Sequence, residues 1–346
     1  MTKPVPLTDL HARIHTGIRS RHLLARQQKL LVAVSGGQDS LCLLQLCVDL
    51  APRWDWQLFV LHCNHRWSDD ETHCAEFLAD WIPQTYGIPC QIATAPEIHR
   101  QEAQARHWRY QQLGHWAQVW DCEAIVMGHT GTDKAETLLL HLLRGSGAQG
   151  LSGMSWQRPL SPTPSTPHFN PTVVRPLLEV WRHETAAFCR AHQLPVWPDQ
   201  SNEDPSFARN RLRQEVMPLL QQHFNPQVEQ ALCRTADLLT AEHDYLLAQA
   251  NQLWAQVYQP DPPRLHRPQL QGQALALQRE CIYRLLCEGL ARQPRFDQVE
   301  AVLNLVSAPQ HSRTESLGSG LWAEVQGTEI MLRGVTVPSP TGSLPQ

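Results

Sequence analysis

The sequence predicts an α/β fold: a doubly wound parallel sheet, followed by a mainly α-helical domain with a small β tail. Short apolar runs alternate with segments of helical length up to residue 192, and this alternation is typical of parallel sheets. Beyond Pro218 the chain turns to long segments rich in Leu, Ala and Gln. We therefore predict domains at 1–217 and 218–337, and a frayed tail at 338–346.

Composition narrows the classes of protein to which the chain can belong. The 346 residues are 42% hydrophobic and 18% charged, which is enough to bury a core. No apolar run approaches the roughly twenty residues of a membrane span, and a net charge of −4 is unlike a general nucleic-acid binder. Ten cysteines without a C-x-x-C pair predict free thiols in a reducing compartment. We expect a cytoplasmic protein without a membrane partner.

The first predicted strand leads into a short polar loop and then a helix. Residues 30–34 form a continuous apolar run, which is typical of a buried parallel strand. Residues 35–40 read SGGQDS, and residues 41–48 continue at helical length without Gly or Pro. The loop therefore lies at the carboxyl end of a strand, where open α/β sheets bind their ligands.

The residue types of this loop predict a site for metal-bound phosphate. Gly36 and Gly37 allow positive φ and close approach of a ligand. Backbone amides and the helix N-terminus attract anions, and the hydroxyls of Ser35 and Ser40 add donors. Asp39 repels an anion, so its carboxylate suits a cation such as Mg²⁺. An ordinary N-capping turn is the alternative.

The remaining elements continue the alternation in order along the chain. Three more strands are predicted at 57–62, 90–94 and 124–129, and helices at 69–86, 102–116, 130–144, 179–192 and 207–220. The Pro-rich stretch 156–176 predicts a long irregular excursion. The second domain is predicted to contain helices at 227–257, 273–290 and 296–307, and a β-hairpin at 320–325 and 330–333.

Charged residues mark three of these helices. Glu102, Arg106 and Arg109 fall on one stripe of a helix, either as a solvated ion pair or as a surface for phosphate or RNA. Asp133 and Glu136 lie in the first turns after the fourth strand, at the same sheet edge as the loop. A carboxylate there would share Mg²⁺ with Asp39, whereas capping of the helix is the alternative for Asp133.

Arginines crowd the last predicted helix of the first domain. Arg209, Asn210 and Arg213 fall within five residues beside a turn, which predicts a clamp for phosphate or RNA. Structural ion pairs with the acids at 199–204 are the competing interpretation.

Six motifs occur in a fixed order along the chain. They are SGGQDS at 35–40, EAQARHWRY at 102–110, GHTGTDKAETLLLHLLRGSG at 128–147, RPLL at 175–178, DQSN at 199–202 and RNRLR at 209–213. Taken together, they resemble the motifs of the tRNA(Ile)-lysidine synthetase family, within the N-type ATP pyrophosphatase (PP-loop) superfamily. The resemblance covers residues 10–220.

The resemblance implies an enzyme that ligates L-lysine to carbon 2 of the wobble cytidine in the CAU anticodon of tRNA(Ile). ATP, with Mg²⁺, would adenylate the cytidine and release pyrophosphate, and lysine would then displace AMP to give lysidine. The modified tRNA would change its codon and amino-acid specificity.

The resemblance also implies roles for particular residues. ATP would be held by Ser35, Gly36, Gly37, Gln38, Asp39 and Ser40. The implied catalytic residues are Asp39, Asp133 and Arg209, with Mg²⁺ on Asp39 and Asp133. Contacts with tRNA or lysine are implied for Arg106, Arg109, Glu136, Asn210 and Arg213.

Three positions depart from the family pattern. Where the family usually has the second residue of a His-His pair, this chain has Thr130. Thr132 replaces the first of two adjacent acids, and Lys134 replaces a Gln. We therefore expect Asp39 and Asp133 to be the only protein ligands of Mg²⁺.

Two other functions stay open at the level of sequence. A tRNA thiolase with the same loop generally depends on reactive cysteine pairs, which this chain lacks as C-x-x-C. A nucleotide-gated RNA-binding module without turnover would agree with the missing acid at Thr132. The oligomeric state is also open, with a homodimer as one option.

Overall fold

The computed structural model describes residues 7–98, 102–160, 169–197, 208–290, 292–318 and 320–334. The chain divides into two compact units, the first ending at Asp237 and the second beginning at Leu238. The domain boundary after residue 217 stays a prediction, and the predicted tail at 338–346 lies outside the described residues.

A six-stranded sheet in the order β3-β2-β1-β4-β6-β5 organises the first unit. All its strand pairs are parallel except β5 with β6, which confirms the predicted fold class. The strands are β1 Lys29–Ala33, β2 Gln57–Asn64, β3 Cys90–Thr94, β4 Ala124–Met127, β5 Gln157–Pro159 and β6 Thr172–Val174.

Helices cover both faces of this sheet. Leu30 and Val32 pack into one apolar cluster and Leu31 into another, because successive strand residues point to opposite faces. Burial on both faces explains the unbroken apolar run of β1. The helices are α1 Asp9–Ser20, α2 Gln38–Trp54, α3 Asp69–Tyr86, α4 Glu102–Val119, α5 Gly131–Leu143, α6 Ala148–Leu151, α7 Arg182–Ala191, α8 Ala208–Arg211 and α9 Met217–His223.

The prediction of an irregular excursion over 156–176 is wrong at both ends. Strands β5 and β6 lie there and extend the sheet beyond β4. Each has three residues, which is too short for a hydrophobic period, and Pro159 ends the edge strand β5, where proline is tolerated. Residues 161–168 between them are outside the described part of the chain.

The second unit combines helices with a four-stranded antiparallel sheet in the order β7-β8-β10-β9. The predicted helices and hairpin are present, but β7 and β8 were not predicted, since their prolines favour a turn. The elements are α10 Val228–Val257, which begins in the first unit, β7 Tyr258–Pro260, β8 Pro263–His266, α11 Arg267–Gln271, α12 Leu275–Gly289, α13 Phe296–Leu303, β9 Trp322–Gln326 and β10 Glu329–Arg333.

The cysteines have the state that composition predicts, since all ten are free thiols. Among the described residues, no helix combines the length and apolar character needed to cross a bilayer.

Candidate active site

Hydrogen bonds of its own two serines stabilise the loop between β1 and α2. The Ser35 amide donates to Ser40 Oγ at 3.1 Å, and Ser40 Oγ donates to the Gly37 carbonyl at 2.9 Å. Gly36 has φ +89°, and a Cβ there would lie 2.5 Å from Cys74 Sγ. Gly37 precedes α2 as its N-cap. Glycine at position 36 is therefore required by the fold of the loop.

A third glycine brings β4 against this loop. A Cβ on Gly128 would lie 3.0 Å from the Asp39 carbonyl oxygen and 3.1 Å from Ser40 Cα. Only a residue without a side chain allows this approach, so Gly128 lets the end of β4 lie beside the first turn of α2. Sequence patterns did not single out Gly128, although it begins the motif GHTGTDKAET.

Helix α7 holds the side chain of Asp39. Thr185 Oγ1 donates to Asp39 Oδ1 at 2.5 Å, and Arg182 Nε lies 3.9 Å from Oδ2. Gln38 Nε2 donates to the Arg182 carbonyl at 2.8 Å. Neither α7 residue was predicted, because the contacts join segments almost 150 positions apart; the RPLL motif just before α7 was the only signal.

Asp133 lies close enough to Asp39 to influence its ionisation. Burial raises the pKa of Asp39, the hydrogen bond from Thr185 opposes the rise, and the negative charge of Asp133 adds to it. A bound divalent cation would relieve this repulsion. The two carboxylates therefore fit a Mg²⁺ ion on the grounds of charge and ligand chemistry.

Two arginines of the RNRLR segment bind the acids of α5. Glu136 is fully buried; Arg209 Nε donates to its Oε2 at 2.8 Å and Arg213 Nε to its Oε1 at 2.6 Å. Arg209 Nη2 also donates to Asp133 Oδ1 at 2.8 Å. Both arginines lie at a π-helical turn, Leu212–Val216, or just before it, and such turns are frequent at functional sites.

Asp133 also caps its own helix. Its Oδ2 accepts from the Thr130 amide at 2.8 Å and from Thr130 Oγ1 at 2.9 Å. Burial opposes ionisation of Asp133, but the positive charges of Arg209 and Arg213 and the hydrogen bond from the Thr130 amide outweigh it and lower the pKa of the carboxyl group. Capping therefore accounts for Oδ2, and a metal ion on Oδ1 would have to displace Arg209.

Two of the three residues that depart from the family pattern contact helix α10. Thr132 Oγ1 accepts from the Arg182 amide at 3.3 Å and donates to Glu229 Oε2 at 3.2 Å. The buried ammonium of Lys134 pairs with Asp237. Helix α10 thus supplies two carboxylates to α5 within the first unit, and nothing in the sequence predicted either.

Replacing Thr132 by aspartate is expected to destabilise the protein by about 2 kcal/mol. A hydroxyl donates and accepts at once, whereas an ionised carboxylate only accepts and would face Glu229. Urea unfolding measures the change. Thr132→Ser should retain stability, and adding Glu229→Gln to the aspartate variant should recover part of the loss. An aspartate variant as stable as the parent would contradict this geometry.

The structure brings together most of the predicted site residues, but not all. Asn210 is buried beside Arg209. Arg106 is exposed on α4, where Nη2 donates to the Tyr110 hydroxyl at 3.2 Å, and Arg109 is half-buried on the same helix. The side chain of Glu102 and the acids at 199–204 lie outside the described residues, so the predicted ion-pair alternatives stay predictions.

These features define a class of protein. A family model described as a PP-loop domain matches residues 7–220, which span the glycine loop, both carboxylates and the two arginines. The first unit is thus a PP-loop domain that uses ATP.

The particular family follows from whole-chain similarity. The chain is 55% identical to a tRNA(Ile)-lysidine synthase of Synechococcus sp. over 94% of its length and 98% of that protein. A tRNA(Ile)-lysidine synthase of Nostoc sp. is 45% identical, over 94% of this chain and 97% of that protein. The chain belongs to the tRNA(Ile)-lysidine synthase family.

Among solved structures, the chain resembles the U34-tRNA thiolase NcsA from Methanococcus maripaludis. The TM-score is 0.52 at 15% sequence identity, covering 67% of this chain and 78% of that chain. This similarity supports the fold alone.

Proposed function

We propose that this protein uses ATP to ligate lysine to carbon 2 of the wobble cytidine in tRNA(Ile) with a CAU anticodon. The observation that carries the proposal is the 55% identity to a tRNA(Ile)-lysidine synthase over nearly the whole of both chains. The site is compatible with it, because a backbone anion cradle lies beside two carboxylates at the ligand edge of the sheet.

The reaction requires two displacements. In the first, the cytosine carbonyl oxygen attacks the α-phosphate of ATP, and the bond from that phosphorus to pyrophosphate breaks. In the second, the ε-amine of lysine attacks carbon 2 and loses a proton, and the carbon–oxygen bond to AMP breaks. Both steps need negative charge on phosphate to be offset.

We assign the loop Ser35–Ser40 to the ATP phosphates, through the backbone amides at the start of α2. Asp39 and Asp133 would hold Mg²⁺, which supplies Lewis-acid stabilisation of phosphate when bound. In the ATP complex, Arg209 would turn from Asp133 toward the phosphates, because its guanidinium prefers an anion that presents several oxygens.

The geometry favours a different role for Glu136 from the predicted contact with lysine. Both its oxygens already accept from arginine at 2.6–2.8 Å, and the side chain has no exposed surface. An incoming ammonium would have to displace a guanidinium. We propose that Glu136 positions Arg209 and Arg213 instead.

A single assay separates this function from its alternatives. Purified protein is incubated with ATP, Mg²⁺, labelled lysine and a tRNA(Ile) transcript with a CAU anticodon; a transcript with uridine at the wobble position is the matched control. We expect label only in the CAU transcript. ATP cleavage that needs a sulfur donor would indicate a thiolase, and binding without ATP cleavage would indicate a module without turnover.

Two further predictions accompany this function. We expect the reaction to occur in the cytoplasm and the predicted domain at residues 218–337 to contact tRNA. For the oligomeric state, a homodimer is one option. Size-exclusion chromatography coupled to light scattering would determine the oligomeric state.

A further inference from the structure

A group of arginines surrounds Tyr110, apart from the acids that bind Arg209 and Arg213. The guanidinium carbons of Arg106 and Arg158 each lie 4.9 Å from the centroid of the Tyr110 ring. Arg106 Nη2 also donates to the Tyr110 hydroxyl. Arg106 comes from α4 and Arg158 from the edge strand β5, so two distant segments meet at one aromatic ring.

Arg175 is the third cation of this group, and its hydrogen bonding is incomplete. It follows β6 and is 3% exposed. Its Nη1 donates to the Ser155 carbonyl at 2.8 Å, but its Nε has no hydrogen-bond partner among the residues that the structure describes. A buried donor without a partner is costly, so this geometry suits a ligand that brings an acceptor.

No carboxylate of the described residues pairs with Arg106, Arg158 or Arg175; their hydrogen bonds go to the Tyr110 hydroxyl and to backbone carbonyls. Burial opposes ionisation of Tyr110, yet the charges of Arg106, Arg175 and Arg158 lower its pKa to about 8. Tyr110 is therefore mainly neutral at pH 7, and the three positive charges have no anion within the described part of the chain.

The arginine group adjoins the candidate active site. Arg175 follows β6, which is parallel to β4. It therefore lies at the carboxyl ends of the parallel strands, where His129 and Asp133 follow β4. Burial lowers the pKa of His129 to about 3; the charge of Asp133 opposes this shift and that of Arg175 adds to it. His129 thus lies within electrostatic range of both groups of residues.

Building on the proposed function, we propose that Arg106, Arg158, Arg175 and Tyr110 bind a phosphodiester of the tRNA next to the wobble cytidine. Guanidinium groups match the geometry of phosphate oxygens. The phosphates of ATP are an alternative source of the same chemistry, but the loop Ser35–Ser40 already provides for them. A phosphodiester here would let a bound nucleotide reach toward Asp133.

The test is the salt dependence of tRNA binding, measured without ATP or lysine. Arg158→Gln is the main variant and Arg106→Gln the second. Arg26→Gln is the control, because Arg26 is exposed and precedes β1, at the amino end of that strand. We expect each main variant to bind tRNA about tenfold more weakly. The slope of log K against log salt should become shallower by about 0.7–0.9, while the Kd for ATP is unchanged.

A second measurement tests the same contact from the side of the RNA. A neutral methylphosphonate replaces one phosphate next to the wobble nucleotide. We expect it to weaken binding to the parent protein but to add nothing to Arg158→Gln. Additive losses, an unchanged salt slope, or weaker ATP binding with normal tRNA binding would each overturn the proposal. Because neither measurement involves turnover, absence of lysine ligation would contradict the proposed function without affecting this result.

Discussion

Replacing Glu136 by alanine is expected to lower the free energy of unfolding by about 3–5 kcal/mol and to abolish lysine ligation. The carboxylate is fully buried and binds two guanidinium groups at 2.6–2.8 Å. Its removal deprives Arg209 and Arg213 of the carboxylate that each binds through Nε, so both are expected to leave their present positions. Urea unfolding followed by circular dichroism measures the loss of stability.

The controls for this prediction come from the same region. Glu215 is exposed on the helical segment that carries Arg213, and Glu215→Ala should change stability by less than about 0.5 kcal/mol. Glu136→Gln keeps the shape but not the charge, so we expect an intermediate loss. If Glu136→Ala unfolds at the same urea concentration as the parent, the buried network does not stabilise the fold.

Replacing Asp39 by asparagine is expected to lower the rate of lysine incorporation by about a hundredfold or more, with tRNA affinity nearly unchanged. Asparagine can still accept from Thr185 Oγ1, which contacts Asp39 at 2.5 Å, so the contact with α7 is retained. What is lost is the negative charge that the proposed Mg²⁺ site on the ATP phosphates would require. Pyrophosphate release and filter binding measure the two quantities separately.

Asp121→Asn is the matched control, because Asp121 is 80% exposed and pairs with Lys29 at the amino end of β1. It should retain both activity and tRNA binding. Loss of tRNA binding together with activity in Asp39→Asn would mean that Asp39 has a structural role instead.

The parts of the fold that depend on local patterns were predictable from the sequence. The apolar run of β1, the glycines of the loop and the period of α2 each act over a few residues, and the structure has them as predicted. Strands β5 and β6 were not predictable, because three residues show no period and their stability comes from pairing with β4.

The candidate site was predictable only in part, for the same reason. The sequence alone indicates carboxylates for a cation at Asp39 and Asp133 and a guanidinium for phosphate at Arg209, because these residue types occur at fixed places in the motifs. Thr185 and Glu229 have no such signal, since a threonine or glutamate acquires its role only when α7 or α10 packs against the loop or α5. Such contacts depend on tertiary structure, which sequence patterns do not encode locally.

The contacts of Thr132 explain why this position can depart from the family pattern. On the sequence alone, the missing acid agreed with the alternative of a module without turnover. In the structure, the Thr132 hydroxyl joins the start of α7 to Glu229 of α10, and an aspartate at this position would face another carboxylate. The substitution therefore fits its surroundings and gives no reason to expect loss of catalysis.

The most direct test of the central claim is the chemical identity of the wobble nucleoside after reaction. A tRNA(Ile) transcript with a CAU anticodon is incubated with the protein, ATP, Mg²⁺ and lysine, digested to nucleosides and analysed by mass spectrometry. We expect cytidine at the wobble position to be converted to lysidine, in a reaction that depends on ATP. An unmodified wobble cytidine, or lysine attached at any other nucleotide, would contradict the proposed function.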